Sequence, residues 1–474
     1  MTPPYRLTIA EAGTEIRAGR LSCEELTLSV LRRIEETEPV IHAYVEILAE
    51  QALAEAGSSS AELRSGLDRG PLHGIPLAIK DIIDIAGSAT RCGSAVRADA
   101  APATKDAAVV TQLRRAGAVI LGKTVTHEFA GGVLSPPARN PWDPSRIPGG
   151  RSGGSAASVA AGSCLGSVGT DTAGSIRVPA SLTGAVGLKP TMGTVDTAGV
   201  FPLSRSLDTV GPIARNVTDA ALLLSAMTGA VAMENPIEAD PGPGDLSTVR
   251  LGVPRSYFFE RLQVDVDSAV AAALNTLQAL HGSLIETEWQ WARAAMAAGF
   301  VIVRPEMAMV HSETLQTTPE RFGTVLRSRL EAFSLFPASG YLRAQEVRRA
   351  LREDIVRVMD SEKLDAFVMP TTAATATPAE DLMISLPDGP DPIHAGFTRF
   401  TMPFNTVGLP AISVPCGFDT AGLPIGLQFV GRPGADRQLL QIARTYEQAC
   451  RWHAALPVES GSSRPGPGID LGQY

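Results

Sequence analysis

Cysteine is scarce in this chain and never clustered. Five residues, Cys23, Cys92, Cys164, Cys416 and Cys450, are scattered through 474 positions, odd in number and without a C-x-x-C spacing. That pattern excludes a disulfide framework and a cysteine-based zinc site, and points to reduced, mostly buried thiols of a cytosolic kind. Blocks of lysine or arginine are missing too. With 41 basic residues against 50 acidic ones the net charge is −9, so the electrostatic footprint of a nucleic-acid binder is absent and no direct phosphate-backbone partner is expected. No run reaches the roughly 18 uninterrupted apolar residues of a membrane span. The N-terminus, Met-Thr-Pro-Pro-Tyr-Arg-Leu-Thr, lacks the charged segment, apolar run and cleavage site of a secretory signal. A soluble, cytoplasmic protein without a metal is the expectation.

Apolar residues are plentiful, at 44% of the chain, and a mean hydropathy of +0.09 leaves enough of them to bury a large core. The first ~60 residues read as helix. Ser22 followed by Glu25 makes a capping box, and Leu26, Val30 and Ile34 then recur at helical spacing. From Pro71 the texture changes. A strand at Ile75 to Ile79, a helix at Asp106 to Ala116 stopped by Gly117, and a strand at Ala118 to Gly122 form the alternation that builds a parallel sheet covered on both sides. Residues 262–300 and 318–363 read as helical with solvated faces, Val249 to Val253 as a strand, and Pro236 to Thr248 as a surface linker.

Between Gly149 and Gly211 glycine, serine, threonine and alanine dominate. Ordered apolar punctuation at Val159, Leu165, Val168, Ile176, Val178, Leu182 and Val186 argues against a flexible linker; small residues let backbones approach closely. Two motifs fall on this stretch, I-P-G-G-R-S-G-G-S-A-A-S-V-A-A-G (Ile147 to Gly162) and G-T-D-T-A-G-S-I-R-V-P-A (Gly169 to Ala180), and a third, H-G-I-P-L-A-I-K-D (His73 to Asp81), lies well upstream. With V-G-L-K-P-T (Val186 to Thr191), S-L-D-T-V-G-P-I-A-R (Ser206 to Arg215), D-A-F-V-M-P-T-T (Asp365 to Thr372) and T-M-P-F-N-T-V-G-L-P-A-I-S-V-P-C-G (Thr401 to Gly417), the chain from about residue 20 to 450 resembles the amidase signature family. These are serine hydrolases that use a Ser–Ser–Lys relay.

The resemblance implies an α/β fold with a large mixed, mostly parallel sheet covered by helices on both faces. It implies one domain over 1–456, including a helical arm over 1–65, with 457–474 as a disordered tail. It implies amide-bond hydrolysis through an acyl-serine, needing no metal or organic cofactor, on a small-molecule amide, and self-association as a homodimer. A strand-end lysine ordinarily snorkels to water; by resemblance Lys80 is instead the general base, its amine kept neutral by burial. Ser175, which alone would read as a helix N-cap, is the acylated nucleophile. The backbone amides of Thr172, Ala173, Gly174 and Ser175 form its oxyanion hole, with Ala173 standing where the family usually has glycine. Asp171 and Arg177 beside it read as a structural ion pair.

Arg151 stands where the family carries the middle serine, in a cis peptide 24 positions before the nucleophile. A guanidinium has donors only and cannot shuttle a proton. It can lower the pKa of Lys80 by like-charge repulsion or hold a substrate carboxylate, which makes an anionic substrate one expectation, and without the serine the peptide bond is free to return to trans. Ser152 taking over the relay, a water bridging Lys80 to Ser175, and an impaired amidase-like binding protein are the competing readings. An acyl-transfer enzyme and the A subunit of a tRNA-dependent amidotransferase are alternatives. After His127 to Ala130 a short apolar loop, G-G-V-L-S-P-P-A, implies a pocket edge at Gly131 and Gly132 that is open on one side and poorly suited to a small polar amide.

Overall fold

The computed structural model describes residues 2–229, 245–450, 452 and 457. Among these, the strands are β1 (Tyr44–Ile47), β2 (Pro76–Lys80), β3 (Val119–Thr124), β4 (Gly166–Asp171), β5 (Val186–Lys189), β6 (Thr209–Ala214), β7 (Arg250–Pro254), β8 (Ser283–Thr287), β9 (Ala366–Pro370), β10 (Met383–Ile384), β11 (Asp391–Pro392), β12 (Ala411–Phe418) and β13 (Pro424–Gly431). All but the small β10/β11 ladder join one 11-stranded sheet, in the order β1-β3-β2-β4-β6-β5-β12-β13-β9-β7-β8. Every residue of β2, β3, β4, β5, β6, β9 and β13 is buried. Successive side chains of a strand point to opposite faces, so both faces of the sheet are covered.

The sheet is mixed. Parallel pairing runs through β3, β2 and β4 and again through β9, β7 and β8. Between these blocks the pairing is antiparallel, from β4 through β6, β5, β12 and β13 to β9. The parallel blocks are built where sequence alternates strand and helix. The tight turn at Asp419–Leu423, closed by two backbone hydrogen bonds, forces β12 and β13 to run in opposite directions.

The helix Cys23–Ile41 begins at the expected capping box, Ser22 and Glu25 bonding reciprocally, and Leu26, Val30 and Ile34 are buried. The helical arm is nevertheless broken, because β1 leaves it to pair with β3 before the helix Ala49–Arg64. Residues 262–300 are likewise two helices, Val264–Ala279 and the start of Ala292–Val310, with β8 between them. There β8 gains a parallel partner in β7 that no local pattern announces. The second helical stretch resolves into Thr324–Ser334 and Ala338–Ser361. Most of the expected linker, 236–244, and the tail beyond Pro457 lie outside the described residues. Among the described residues no helix is long and apolar enough to cross a membrane, and the cysteines are free thiols, four of them buried.

What positions the site is the parallel neighbourhood of β2 and β4. Their carboxyl ends emerge side by side, as strand ends do where α/β sheets commonly place ligand sites. The helix Gly153–Ala160 packs on β4 and on the helix Arg177–Thr183 that follows it. Every residue from 149 to 183 is buried. At several glycines on this path an added Cβ would meet a neighbour, as at Gly153, Gly154 and Gly166, which accounts for part of the composition. At Gly169 an added Cβ would lie 3.0 Å from Ser152 Oγ.

Candidate active site

Lys80 ends β2 fully buried, and its Nζ donates to Thr170 Oγ1 at 2.7 Å. The next residue, Asp81, does not neutralise it. That carboxylate turns to Lys123 on β3, 3.0 Å away, so among the described residues Lys80 has a hydroxyl for a partner and no ion pair. Burial therefore pulls its pKa down, and the nearby Arg151 charge pulls it further, to about 7. A sizeable fraction is neutral amine at neutral pH.

Ser175 sits on the turn between β4 and the helix Arg177–Thr183. The turn is held from beneath by Asp171, whose carboxylate accepts from the amides of Gly174 at 2.7 Å and Ile176 at 3.2 Å. Arg177 meets it with two bonds, Nε to Oδ2 at 3.0 Å and Nη2 to Oδ1 at 3.1 Å. Its remaining donors go to Gln428, Asn405 and the Thr401 carbonyl. This bonding outweighs the cost of burial and holds Asp171 well below the usual carboxylate range. Asp171 and Arg177 thus form a fully buried ion pair that fixes the turn carrying Ser175. Of the four amides expected to form an anion hole, that of Gly174 is committed to Asp171. Ala173 does not occupy a left-handed conformation; Gly174 does, at φ +113. An added Cβ there would lie 2.1 Å from Thr401 Oγ1, so the glycine this turn requires is Gly174, and alanine at 173 carries no backbone strain.

Arg151 is 3% exposed and reaches Ser175 directly, its Nη1 donating to Oγ at 3.0 Å. Nη2 lies 3.2 Å from His394 Nε2. Guanidinium can only donate, so His394 accepts there and carries its proton on Nδ1. Among the described residues the one cis peptide is Pro136–Pro137, so the bonds on either side of Arg151 are trans. Ser152 is fully buried but faces the backbone of Thr170, accepting from its N–H at 3.3 Å and donating to its carbonyl at 3.2 Å. No hydrogen bond among the described residues joins Lys80 to Ser175 through Ser152.

The rim differs from the open edge that the short loop suggests. The helix Thr324–Ser334 covers it: Arg329 Nη1 donates to the Gly131 carbonyl at 3.1 Å, and Phe322, just before that helix, packs on Phe129. Gly132 lies against the ring of His127, so close that an added Cβ would fall 2.0 Å from Nε2. Gly131 thus lies under Arg329 and Leu326, and Gly132 under His127. Burial, and then the charges of Arg151 and Arg329, lower His127 to about 4 and put His394 well below its ordinary value. Among the described residues no group of three or more His, Cys, Asp or Glu could hold a metal ion.

The motifs alone missed Thr170, Arg329, His127 and His394. Thr170 lies inside a quoted motif, five positions before Ser175, and only the pairing of β2 with β4 makes it the partner of Lys80. Arg329 and His394 belong to segments with no local signal.

Known proteins share this architecture. The family model described as Amidase matches residues 25–440. An amidase of Pseudomonas putida is 40% identical over 471 residues, covering 98% of this chain and all of the relative. The A subunit of the glutamyl-tRNA(Gln) amidotransferase from Chloroflexus aurantiacus is 36% identical, covering 96% of this chain and 99% of its own length. The crystal structure of the peptide amidase from Stenotrophomonas maltophilia superposes with a TM-score of 0.81 at 30% identity, covering 99% of both chains.

Proposed function

The chain belongs to the amidase family, and from that premise we propose that it hydrolyses a carboxamide through an acyl intermediate on Ser175, with Lys80 as general base and no cofactor. The observation that carries this reading is the state of Lys80: a buried amine with a pKa of about 7, at the end of the strand beside the one that leads into the Ser175 turn. Such a group is poised both to take and to return a proton near neutral pH.

The proton path differs from a serine relay, because Arg151 has no acceptor. Neutral Lys80 takes the Ser175 proton through one bridging water, and Oγ attacks the carbonyl carbon of the amide. Arg151 stays on Oγ as a donor and stabilises the alkoxide as it forms. The amides of Thr172, Ala173 and Ser175 receive the carbonyl oxygen as its charge develops. Ammonium at Lys80 returns the proton to the departing nitrogen, and a second water, activated by Lys80, cleaves the ester. Ser152 steadies Thr170, and through it the partner of Lys80. Water is the acceptor, so the purified chain suffices with no other polypeptide.

Intact-protein mass spectrometry after incubation with a fluorophosphonate tests this. One adduct on the native chain and none on Ser175→Ala is the expected result. Labelling of Arg151→Ser alone would overturn it, since the guanidinium would then block the nucleophile and leave a protein that binds amides without turning them over.

A further inference from the structure

Resting on the reading of Ser175 as the acylated residue, we propose that its pocket takes amides whose acyl part ends in a carboxylate, held by Arg151 and Arg329. The first ground is an imbalance of charge. Neither arginine makes an ion pair among the described residues. Arg151 gives Nη1 to a hydroxyl and Nη2 to a neutral imidazole, and its buried Nε has no partner at all. Arg329 gives one bond to a carbonyl. A desolvated guanidinium without a counter-charge is costly, and a carboxylate offsets that cost while matching its planar fork.

Among the described residues no carboxylate pairs with either arginine. The acidic groups nearest Arg151 are Asp171, bonded to Arg177 and Asn405, and Asp208, which accepts from Thr172 Oγ1 and from the amides of Leu203 and Ser204. Three arginines nearby are treated differently. A neighbouring cavity of about 280 Å³ is lined by Arg261, Arg293 and Arg399, and there Asp391 and Glu260 pair with all three. Arg215 and Arg348 also lack an ion pair among the described residues, but their donors go largely to backbone carbonyls; Arg151 differs in giving Nη1 to the hydroxyl of Ser175.

Geometry sets the length of the ligand. Nη1 of Arg151 lies on the nucleophile, and the free Nε is on the far side of the same planar group. The Nε–H points away from Nη1, so a carboxylate oxygen on it lies about 7 Å from Oγ by ordinary hydrogen-bond lengths. That separation fits monoamides of four- and five-carbon diacids, succinamate and glutaramate, better than malonamate.

Calorimetric titration of Ser175→Ala protein, which cannot be acylated, with malonamate, succinamate and glutaramate tests the proposal. At least one acid is expected to bind about tenfold or more tightly than its neutral diamide. Arg329→Gln in the same background should weaken the acid about tenfold without changing the diamide, and Arg329→Lys should recover part of the loss. Circular dichroism checks that each variant is folded. Equal affinity for acid and diamide, no binding by any of the three acids, or an Arg329→Gln protein that binds the acid unchanged would each overturn it. Because no chemistry is involved, the outcome stands even where Ser175 fails to label, and labelling without acid preference refutes the carboxylate alone.

Discussion

Arg151 places Nη1 3.0 Å from the Oγ of Ser175. The same guanidinium is the second cause, after burial, of the low pKa of Lys80. One residue therefore acts on the Ser175 hydroxyl by donating to it and on Lys80 by repelling its proton. Its position fits a site in which the proton passes around the arginine.

Arg151→Ser separates these effects. Removing the positive charge favours protonated Lys80, so the pKa of the base rises and the acid limb of the fluorophosphonate labelling profile moves to higher pH, by up to about one unit. Labelling rates measured across pH check it. An unmoved limb would show that Lys80 does not control the nucleophile.

Lys80→Met should abolish labelling and stabilise the fold. The folded pKa of about 7 lies below the ordinary 10.5, so between those values the unfolded chain binds more protons and the contribution of Lys80 to stability rises with pH. Below pH 7 the cost of burying the charge is fully present. The variant's gain in melting temperature should thus be largest at pH 6 and shrink toward pH 10. Thermal melts of both proteins over that range decide the matter.

Asp171→Asn leaves Arg177 as a buried, uncompensated charge. Breaking a pair of this kind costs about 3–5 kcal/mol. Asp171 is held below its ordinary value, so its contribution is present above the unfolded pKa and is lost as pH falls. Urea denaturation should show a constant deficit above about pH 5 that narrows in acid.

Gly174→Ala and Ala173→Gly make a matched pair. The first meets Thr401 in a left-handed conformation and should cost about 1–3 kcal/mol along with most labelling. The second relaxes a position that has no strain and should change labelling little, while losing a few tenths to about 1 kcal/mol through backbone entropy. Denaturation midpoints and labelling rates of the two variants test the assignment of the special glycine.

Much of this could be read from the residues themselves. Ser22 and Glu25 cap a helix because both partners lie within one turn. Lys80 ends a strand because five apolar or small residues precede it, and the small residues of 149–183 announce close packing by their size. Other features depend on distant partners. β1 and β8 are strands because β3 and β7 offer free edges, and the short loop at Gly131 is closed by a helix nearly 200 residues away.

Residue identity alone sets the covalent inventory: a serine at 175, a lysine at 80, an arginine where the resemblance leads one to expect a serine, and small residues that let backbones approach closely. Local chemistry decides such things, since a guanidinium cannot accept a proton in any fold. Tertiary structure alone decided where that arginine points, which hydroxyl Lys80 meets, and that Asp81 serves Lys123 instead of its neighbour. Those outcomes rest on strand register and on burial, which set the distances and the dielectric that pull the pKa of Lys80 down.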